Sequence, residues 1–286
     1  MDCFCTIVWV VKRASIPRDV KWWNPSRNVE GKRVTFWGQF VIASVYYVLY
    51  TLVGDYAKAS YSHALADTLD EIKIEKALGV FVEQPIQVFF LHYRYVIKAA
   101  NLYYVTVHFV LPVIVLVLLF KRDARRFLMY RNIFAVLTAI GFLIYLVFPA
   151  APPRLLPHSF HFIETQSRYG GAGALDGYLM KEAGDPYGAM PSLHFAWALW
   201  CSVAAYRVAK SALFKAFLIA HPMITIFVVT VTANHLFIDV AAGALVVVLS
   251  QFLCGDFGPL RRSWWPKTSV SRADSRGSVV LVEGVG

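Results

Sequence analysis

The chain has 286 residues, 58% of them hydrophobic and only 16% charged, with a formal net charge of +10. A composition this apolar leaves too little polar surface to dissolve so short a chain, which excludes an ordinary soluble domain. The basic excess is split among short segments that flank apolar runs, a pattern of membrane topology and anionic headgroups that gives no support to a nucleic-acid partner.

Six spans are expected, at about 34–54, 103–120, 131–149, 190–206, 213–233 and 236–254. Each has close to the length needed to cross roughly 30 Å of hydrocarbon at about 1.5 Å per residue. The expected fold is an all-α integral membrane protein with interfacial helices in its first outer segment. It divides into a basic N-terminal segment (1–33), a membrane domain (34–255) and a tail (256–286). The end of that tail is rich in Ser, Arg and Gly and is expected to lack regular structure. The apolar stretch Cys3–Val11 is too short to span and lacks a basic lead, so it does not read as a signal peptide.

Charge sets the expected orientation. The first 33 residues hold seven Lys and Arg against three acids, the connection after span two reads Lys121-Arg-Asp-Ala-Arg-Arg126, and Arg207, Lys210 and Lys215 follow span four. The segments 55–100 and 150–189 are slightly acidic. Positive-inside logic places both termini in the cytoplasm, with the plasma membrane the expected location.

The outer segment 55–100 reads as two interfacial helices. The first runs from about Ser62 to Glu83, with Ile74, Ala77, Leu78 and Phe81 on one face and Glu75, Lys76 and Glu83 off it. Pro85 ends the pattern, and an aromatic stretch from Ile86 to Ala99 follows. The pair either caps a site or simply packs on the bundle. His108 lies about two turns into span two, either lining a pocket or making an interhelical hydrogen bond. Span three exits at Pro152-Pro-Arg154-Leu-Leu-Pro157. Arg154 can grip phosphate oxygens through two donors or act as an interfacial anchor. In the loop 150–189, Gly170-Gly-Ala-Gly173 lacks a phosphate-binding context, while Arg168, Lys181 and Tyr187 are candidates for headgroup contact.

Two histidines carry the chemistry. His194, in Met190-Pro-Ser-Leu-His194, and His235, in Asn234-His235-Leu-Phe-Ile-Asp239, each stand at the entrance to an apolar run and are 41 positions apart. That separation is about two spans and a turn, so both return to the face that receives Arg154. Pro191 suits a first helical turn, where Ser192 and free amides form an anion-binding nest. His235 and Asp239 share one helical face; a carboxylate on one ring nitrogen leaves the other basic and able to attack phosphorus. His194 can protonate the leaving alkoxide. A structural His–Asp pair is the plainer alternative for His235 and Asp239. His221, beside Pro222 in span five, reads as part of a kink. The four cysteines form no metal-type pairing with histidine, and no cofactor is expected.

At these residues the chain resembles the type 2 phosphatidic acid phosphatase superfamily of lipid phosphate phosphatases. Within it, the resemblance is strongest to the branch of aureobasidin-resistance-type inositolphosphotransferases. It covers about 130–255: the family's Pro-Ser-Gly-His appears as Pro191-Ser-Leu-His194, and its His-x-x-x-Asp as His235 and Asp239. The resemblance implies that His235 is the nucleophile, Asp239 its orienting partner and His194 the acid/base, with six spans and no metal requirement. Three positions depart from the pattern. Leu193 replaces Gly, Val228 and Val229 stand where Ser-Arg should precede the third motif, and Val147 stands where the first motif has Lys. Fewer cations suit a phosphodiester better than a dianionic monoester.

The expected activity is thus an extracytoplasmic lipid phosphotransferase or hydrolase acting through a phosphohistidine, with a phospholipid or polyprenyl phosphate as substrate. It includes transfer of a phosphoalcohol headgroup such as phosphoinositol between lipids. Simple dephosphorylation of a polyprenyl or glycerolipid phosphate is the enzymatic alternative. A non-catalytic lipid-binding or transport protein is an alternative of another class, disfavoured by intact His194, His235 and Asp239; a proton-coupled carrier using His235 and Asp239 is a third, and would show transport that depends on the proton gradient. The composition leaves the oligomeric state open.

Overall fold

The computed structural model of the chain describes residues 26–29, 32–41, 59–170, 187–254, 271–273 and 279–281. A hairpin, β1 (Ser26–Val29) and β2 (Lys32–Thr35), precedes the helices α1 (Tyr61–Leu78), α2 (Glu83–Leu91), α3 (Arg94–Arg122) and α4 (Ala124–Val147). After two single turns of 3-10 helix come α5 (Thr165–Tyr169), α6 (Leu193–Ala205), α7 (Ala212–Val231) and α8 (Phe237–Cys254). In the tail, Ser271–Ala273 (β3) pairs antiparallel with Val279–Leu281 (β4), a short regular piece where none was expected. The remainder of the tail lies outside the described residues.

Among the described residues, four helices (α3, α4, α7 and α8) are long and apolar enough to cross a membrane. α6 is apolar but has only 13 residues. It covers about 20 Å at 1.5 Å per residue, short of the hydrocarbon thickness. Most of the expected first span, 42–54, lies outside the described residues; 36–41 is helical. Against expectation, the second span begins at Arg94 rather than 103. The aromatic stretch after Ile86 divides, with α2 ending at Leu91 and the remainder opening α3.

Local chemistry sets these limits. Asp123 alone joins α3 to α4: its N–H bonds Leu119 O (2.7 Å), and its side chain accepts from Arg126 N (3.0 Å). Lys121 and Arg122 occupy the last turn of α3, where cations suit the helix dipole. Arg27 of the hairpin donates to Phe120 O and Lys121 O, satisfying carbonyls at the same helix end. Pro112 and Pro222 sit inside α3 and α7, a placement that membrane helices tolerate when neighbours re-satisfy the freed groups.

α6 runs through the middle of the bundle, packed by α3, α4, α7 and α8. Trp200 and Cys201 are fully buried there, and the Trp197 and Trp200 indoles donate to Thr138 and to Tyr130 O of α4 (both 3.1 Å). Large apolar side chains such as Ile114, Leu143, Met223, Leu245 and Phe252 face outward, as a lipid-exposed surface requires.

Leu193, which departs from the Gly of the family motif, is accommodated by a glycine on α4. A Cβ at Gly141 would come 2.6 Å from Leu193 Cδ2, so the small residue has moved to the facing helix. Gly243 of α8 is tighter still: its Cβ would lie 2.6 Å from the carbonyl oxygen of Ser192, a backbone atom that cannot rotate away. Gly243→Ala is expected to cost about 1–3 kcal/mol, the usual range for overpacking. Thermal unfolding in detergent would show this as a lowered midpoint; an unchanged midpoint would mean that α8 and the 190–192 turn are not held at this distance.

The first outer helix buries the face that carries its acids. Ile74 and Leu78 are 48% and 70% exposed, while Ala64, Thr68, Glu71, Ile72 and Glu75 form the buried stripe. Gly79, at φ 70°, bonds back to Glu75 O and Lys76 O and ends α1 five residues early. Pro85 then falls in the first turn of α2, where its missing N–H is not needed. Lipid reverses the usual rule for which face of a helix is buried. An interfacial helix can leave its apolar face outward and turn its polar face to a polar cluster inside.

Candidate active site

The turn after α7 builds one half of the site. Ala233 takes left-handed backbone (φ 53°) and Asn234 N–H bonds Val229 O (2.9 Å), which reverses the chain before α8. Arg154 is pinned to this turn twice, by its N–H to Ala233 O (2.9 Å) and by its guanidinium to Asn234 Oδ1. Asn234, 1% exposed, also donates to Thr232 Oγ1 (2.6 Å). The expected convergence of Arg154 with the 234–239 stretch therefore holds in space.

His235 is 4% exposed and Asp239 fully buried, with Nδ1 of the ring 3.4 Å from Asp239 Oδ2. The same Oδ2 accepts from Leu236 N–H (2.8 Å), reaching back from the third helical position as in a capping box. The other half of the site is the start of α6. Ser192 caps that helix by accepting from Phe195 N (3.3 Å), and its own N–H bonds Asp239 O (2.9 Å). Fully buried, Ser192 braces α6 against α8 rather than lying open in an anion nest, as the sequence suggested. The His194 and His235 rings then face each other at 5.6 Å between centroids.

His194 is held in a ladder of stacked rings. Tyr104 lies 4.0 Å to one side and His108 3.9 Å to the other, and His108 stacks in turn on Trp197 at 4.4 Å. The ladder alternates between α3 (104 and 108, four apart) and α6 (194 and 197, three apart), the spacings that bring side chains onto one helical face. Of the two readings of His108, the pocket-lining one describes its place: it borders a narrow cavity between α3, α6 and α7 that also reaches Tyr103, Cys201 and His221. His221 belongs to this cavity as well as to the Pro222 turn, and bonds the Tyr103 hydroxyl.

Arg168 lies on the short helix α5, exposed, with its guanidinium 5.7 Å from the ring of its neighbour Tyr169. No described contact brings it to the histidines. Lys181 and Gly171–Gly173 lie outside the described residues. Tyr187 joins the loop to α4's exit, where its carbonyl accepts from Ala150 N (2.7 Å). At the three departures from the motif pattern, Val147 is 80% exposed and points away, while Val228 and Val229 are buried. None of these positions supplies a cation.

The residues that sequence reading missed are acidic. Glu71 and Glu75 of α1 and Glu83 of α2 are 2%, 1% and 0% exposed. Glu83 Oε1 accepts from Phe237 N (2.8 Å), and Glu75 Oε1 from Ile238 N (2.7 Å). With Asp239 on Leu236 N, three carboxyls satisfy three successive amides at the start of α8. Burial, then the charges of Asp239, Glu75 and Asp67, push the Glu71 carboxyl up to about 10. Burial also dominates at Glu75, raised to about 8 against the lowering effect of its bond from Ile238. Both shifts favour the protonated forms at neutral pH, which lowers the cost of burying the carboxyl oxygens of Glu71 and Glu75 that have no partner. The signal available in the sequence was the stripe Ala64, Thr68, Glu71, Glu75, spaced by four, three and four.

Among the described residues, no group of three His, Cys, Asp or Glu is disposed to hold a metal ion. What the arrangement offers is two imidazoles, one backed by a carboxylate, beside a single guanidinium.

The PAP2 superfamily matches residues 70–253, which takes in every residue of this cluster from Glu71 to Asp239 and well over half of the chain. The chain belongs to the PAP2 superfamily. Membership supports phosphatase-type chemistry on lipid phosphoesters and agrees with a helical membrane protein. Neither the curated proteins nor the solved structures gave a significant match. Within this PAP2 member, the pairing of an apolar Leu193 with Gly141 and the absence of cations at 147, 228 and 229 are properties of the chain itself.

Proposed function

We propose that the protein is a lipid phosphotransferase or phosphohydrolase that works through a phosphohistidine on His235. The observation that carries this reading is the facing pair His194 and His235 with Asp239 against Nδ1 of His235. A carboxylate on Nδ1 selects the tautomer that leaves Nε2 unprotonated, and Nε2 is the atom to attack phosphorus. His194 donates a proton to the leaving alkoxide and then takes one from the acceptor. The acceptor, water or a lipid alcohol, breaks the P–N bond and restores His235. Arg154 holds phosphoryl oxygens, and Asn234 aims its guanidinium.

The scarcity of cations favours a monoanionic phosphodiester, since a monoester carries about two charges near neutral pH and a diester about one. Transfer of a phosphoalcohol headgroup, such as phosphoinositol, between lipids is the reaction that this charge balance suits. Release of phosphate from a lipid monoester is the second reading, favoured by the phosphatase-type chemistry of the superfamily.

The proposed topology has six spans: α3, α4, α6, α7, α8 and the apolar run 34–54. The central position of α6 supports counting it, because a helix surrounded by protein need not match the bilayer by itself. Arg27, Lys121, Arg122, Arg207 and Lys210 gather at the end of the bundle opposite the histidines. Positive-inside logic therefore puts that end in the cytoplasm and the site outside, with the plasma membrane the proposed location.

The test uses purified protein in nanodiscs, given phosphorus-labelled phosphatidylinositol, phosphatidic acid or polyprenyl phosphate, with and without a lipid alcohol. Label moving into a new lipid is the expected result. Phosphate release alone would remove the charge-balance argument and leave a phosphatase; no turnover on any lipid phosphoester would count against the enzyme reading.

A further inference from the structure

The amides at the start of α8 need acceptors, and the residue in the capping position is Leu236, whose side chain has none. Acceptors come instead from two other elements, Glu83 at the start of α2 and Glu75 in the last turns of α1. Both are nine-tenths or more buried, and both bonds span more than 150 residues of chain. The amides they hold lie two and three positions after His235 and immediately before Asp239. We propose, building on the reading of His235 as the nucleophile, that Glu75 and Glu83 are positioning residues: by capping the first turn of α8 they fix its rotation and so aim His235 and Asp239 at the substrate. The outer helices are thereby part of the catalytic machinery and not a covering for it.

The geometry explains why the cap is built from outside. Asp239 has one oxygen shared between Leu236 N–H and the His235 ring. If Asp239 also had to satisfy the next two amides, its carboxylate would be drawn away from the imidazole. Glu75 and Glu83 take those amides and leave Asp239 free for His235. The groups that face Glu75 are Glu71 on its own helix, Glu83 on the next, and Asp239 on the α8 side. Burial first, and this crowding after it, favour the protonated form of Glu75, so its Oε1 acts as a carbonyl acceptor and glutamine is a close mimic of that form.

The experiment compares Glu75→Ala, Glu83→Ala, Glu75→Gln and Glu83→Gln in the full-length protein in nanodiscs, all checked for the wild-type unfolding profile. Two readouts are taken: kcat and KM on the labelled-lipid panel, and the rate at which diethyl pyrocarbonate modifies His235, followed by mass spectrometry. Alanine variants should lose tenfold or more in kcat with KM within about threefold, and His235 should be modified several times faster. The glutamine variants should restore both to within about twofold of wild type. Alanine variants with wild-type kcat and wild-type His235 reactivity would overturn the proposal, as would glutamine variants no better than alanine. If the wild-type protein turns over no lipid phosphoester, the enzyme reading fails by itself. The His235 modification rates would still decide whether the two glutamates hold that ring. Where alanine variants do not fold, the glutamine pair and Glu75→Asp, which shortens the reach by one methylene, give the same comparison.

Discussion

His235→Ala is expected to abolish turnover, with kcat falling by on the order of 10⁴-fold or more, while the protein keeps its fold. Removing a covalent nucleophile eliminates the intermediate itself, and remaining activity reflects only binding and positioning. The ring is 4% exposed and packs against His194 and Asp239. Its loss therefore leaves a small polar gap beside Arg154 that water can fill. His194→Ala should behave differently. Loss of a general acid costs typically 10²–10⁴-fold, and the cost shrinks for substrates whose leaving group needs no proton. The measurement is rapid quench with labelled lipid and with an activated aryl phosphodiester. Wild-type protein should carry acid-labile label, His235→Ala none, and His194→Ala should retain labelling with the activated ester. Acid-labile label in His235→Ala would move the nucleophile elsewhere and sink the mechanism.

The second large effect concerns pH. The Glu71 carboxyl titrates near 4.5 in an unfolded chain and is pushed up to about 10 in the folded one. Between these values the folded protein holds a proton that the unfolded chain has released. The stabilising contribution of that neutral carboxyl is therefore complete below about pH 4.5 and is lost as pH rises towards 10. A full proton difference is worth about 1.4 kcal/mol per pH unit, so raising pH from 7 to 9 removes about 3 kcal/mol. Glu71→Gln has no proton to lose. Its unfolding midpoint in detergent should match wild type near pH 5 and exceed it by several degrees at pH 9. Parallel pH profiles for the two proteins would show that Glu71 does not titrate in this way. Glu75, raised to about 8, adds to the wild-type slope only over the lower part of the range.

These two predictions rest on residues of different legibility. His194, His235, Asp239 and Arg154 could be read from the chain because their roles depend on short-range spacing beside apolar runs. Position 239 follows 235 by only four residues, which keeps the two close even though His235 stands two residues before the first residue of α8, and two returning spans bring 194 near 235. Glu71, Glu75 and Glu83 were not readable in the same way. Their stripe is visible, yet an acidic stripe on an outer helix ordinarily faces water. Only the docking of α1, with Ala151 N–H donating to Thr68 Oγ1 (2.8 Å) and the Tyr61 hydroxyl to Leu155 O (2.8 Å), turns that stripe inward. Arg168 shows the converse: a cation near the site in sequence, it lies exposed beside Tyr169 once α5 forms.

By itself, then, the amino-acid sequence determined a helical membrane protein with a histidine pair at one end, because hydropathy and helical periodicity act within a few turns of chain. It also carried the shortage of cations, since missing residues need no fold to be noticed. The tertiary structure decided which side of each outer helix faces inward, that His194 stands in a stack of rings, and that the Phe237 and Ile238 amides at the head of α8 are served by glutamates more than 150 residues away. Those outcomes depend on contacts between distant segments. In such contacts a buried amide must find an acceptor, and the chain's own spacing does not say which residue will reach it.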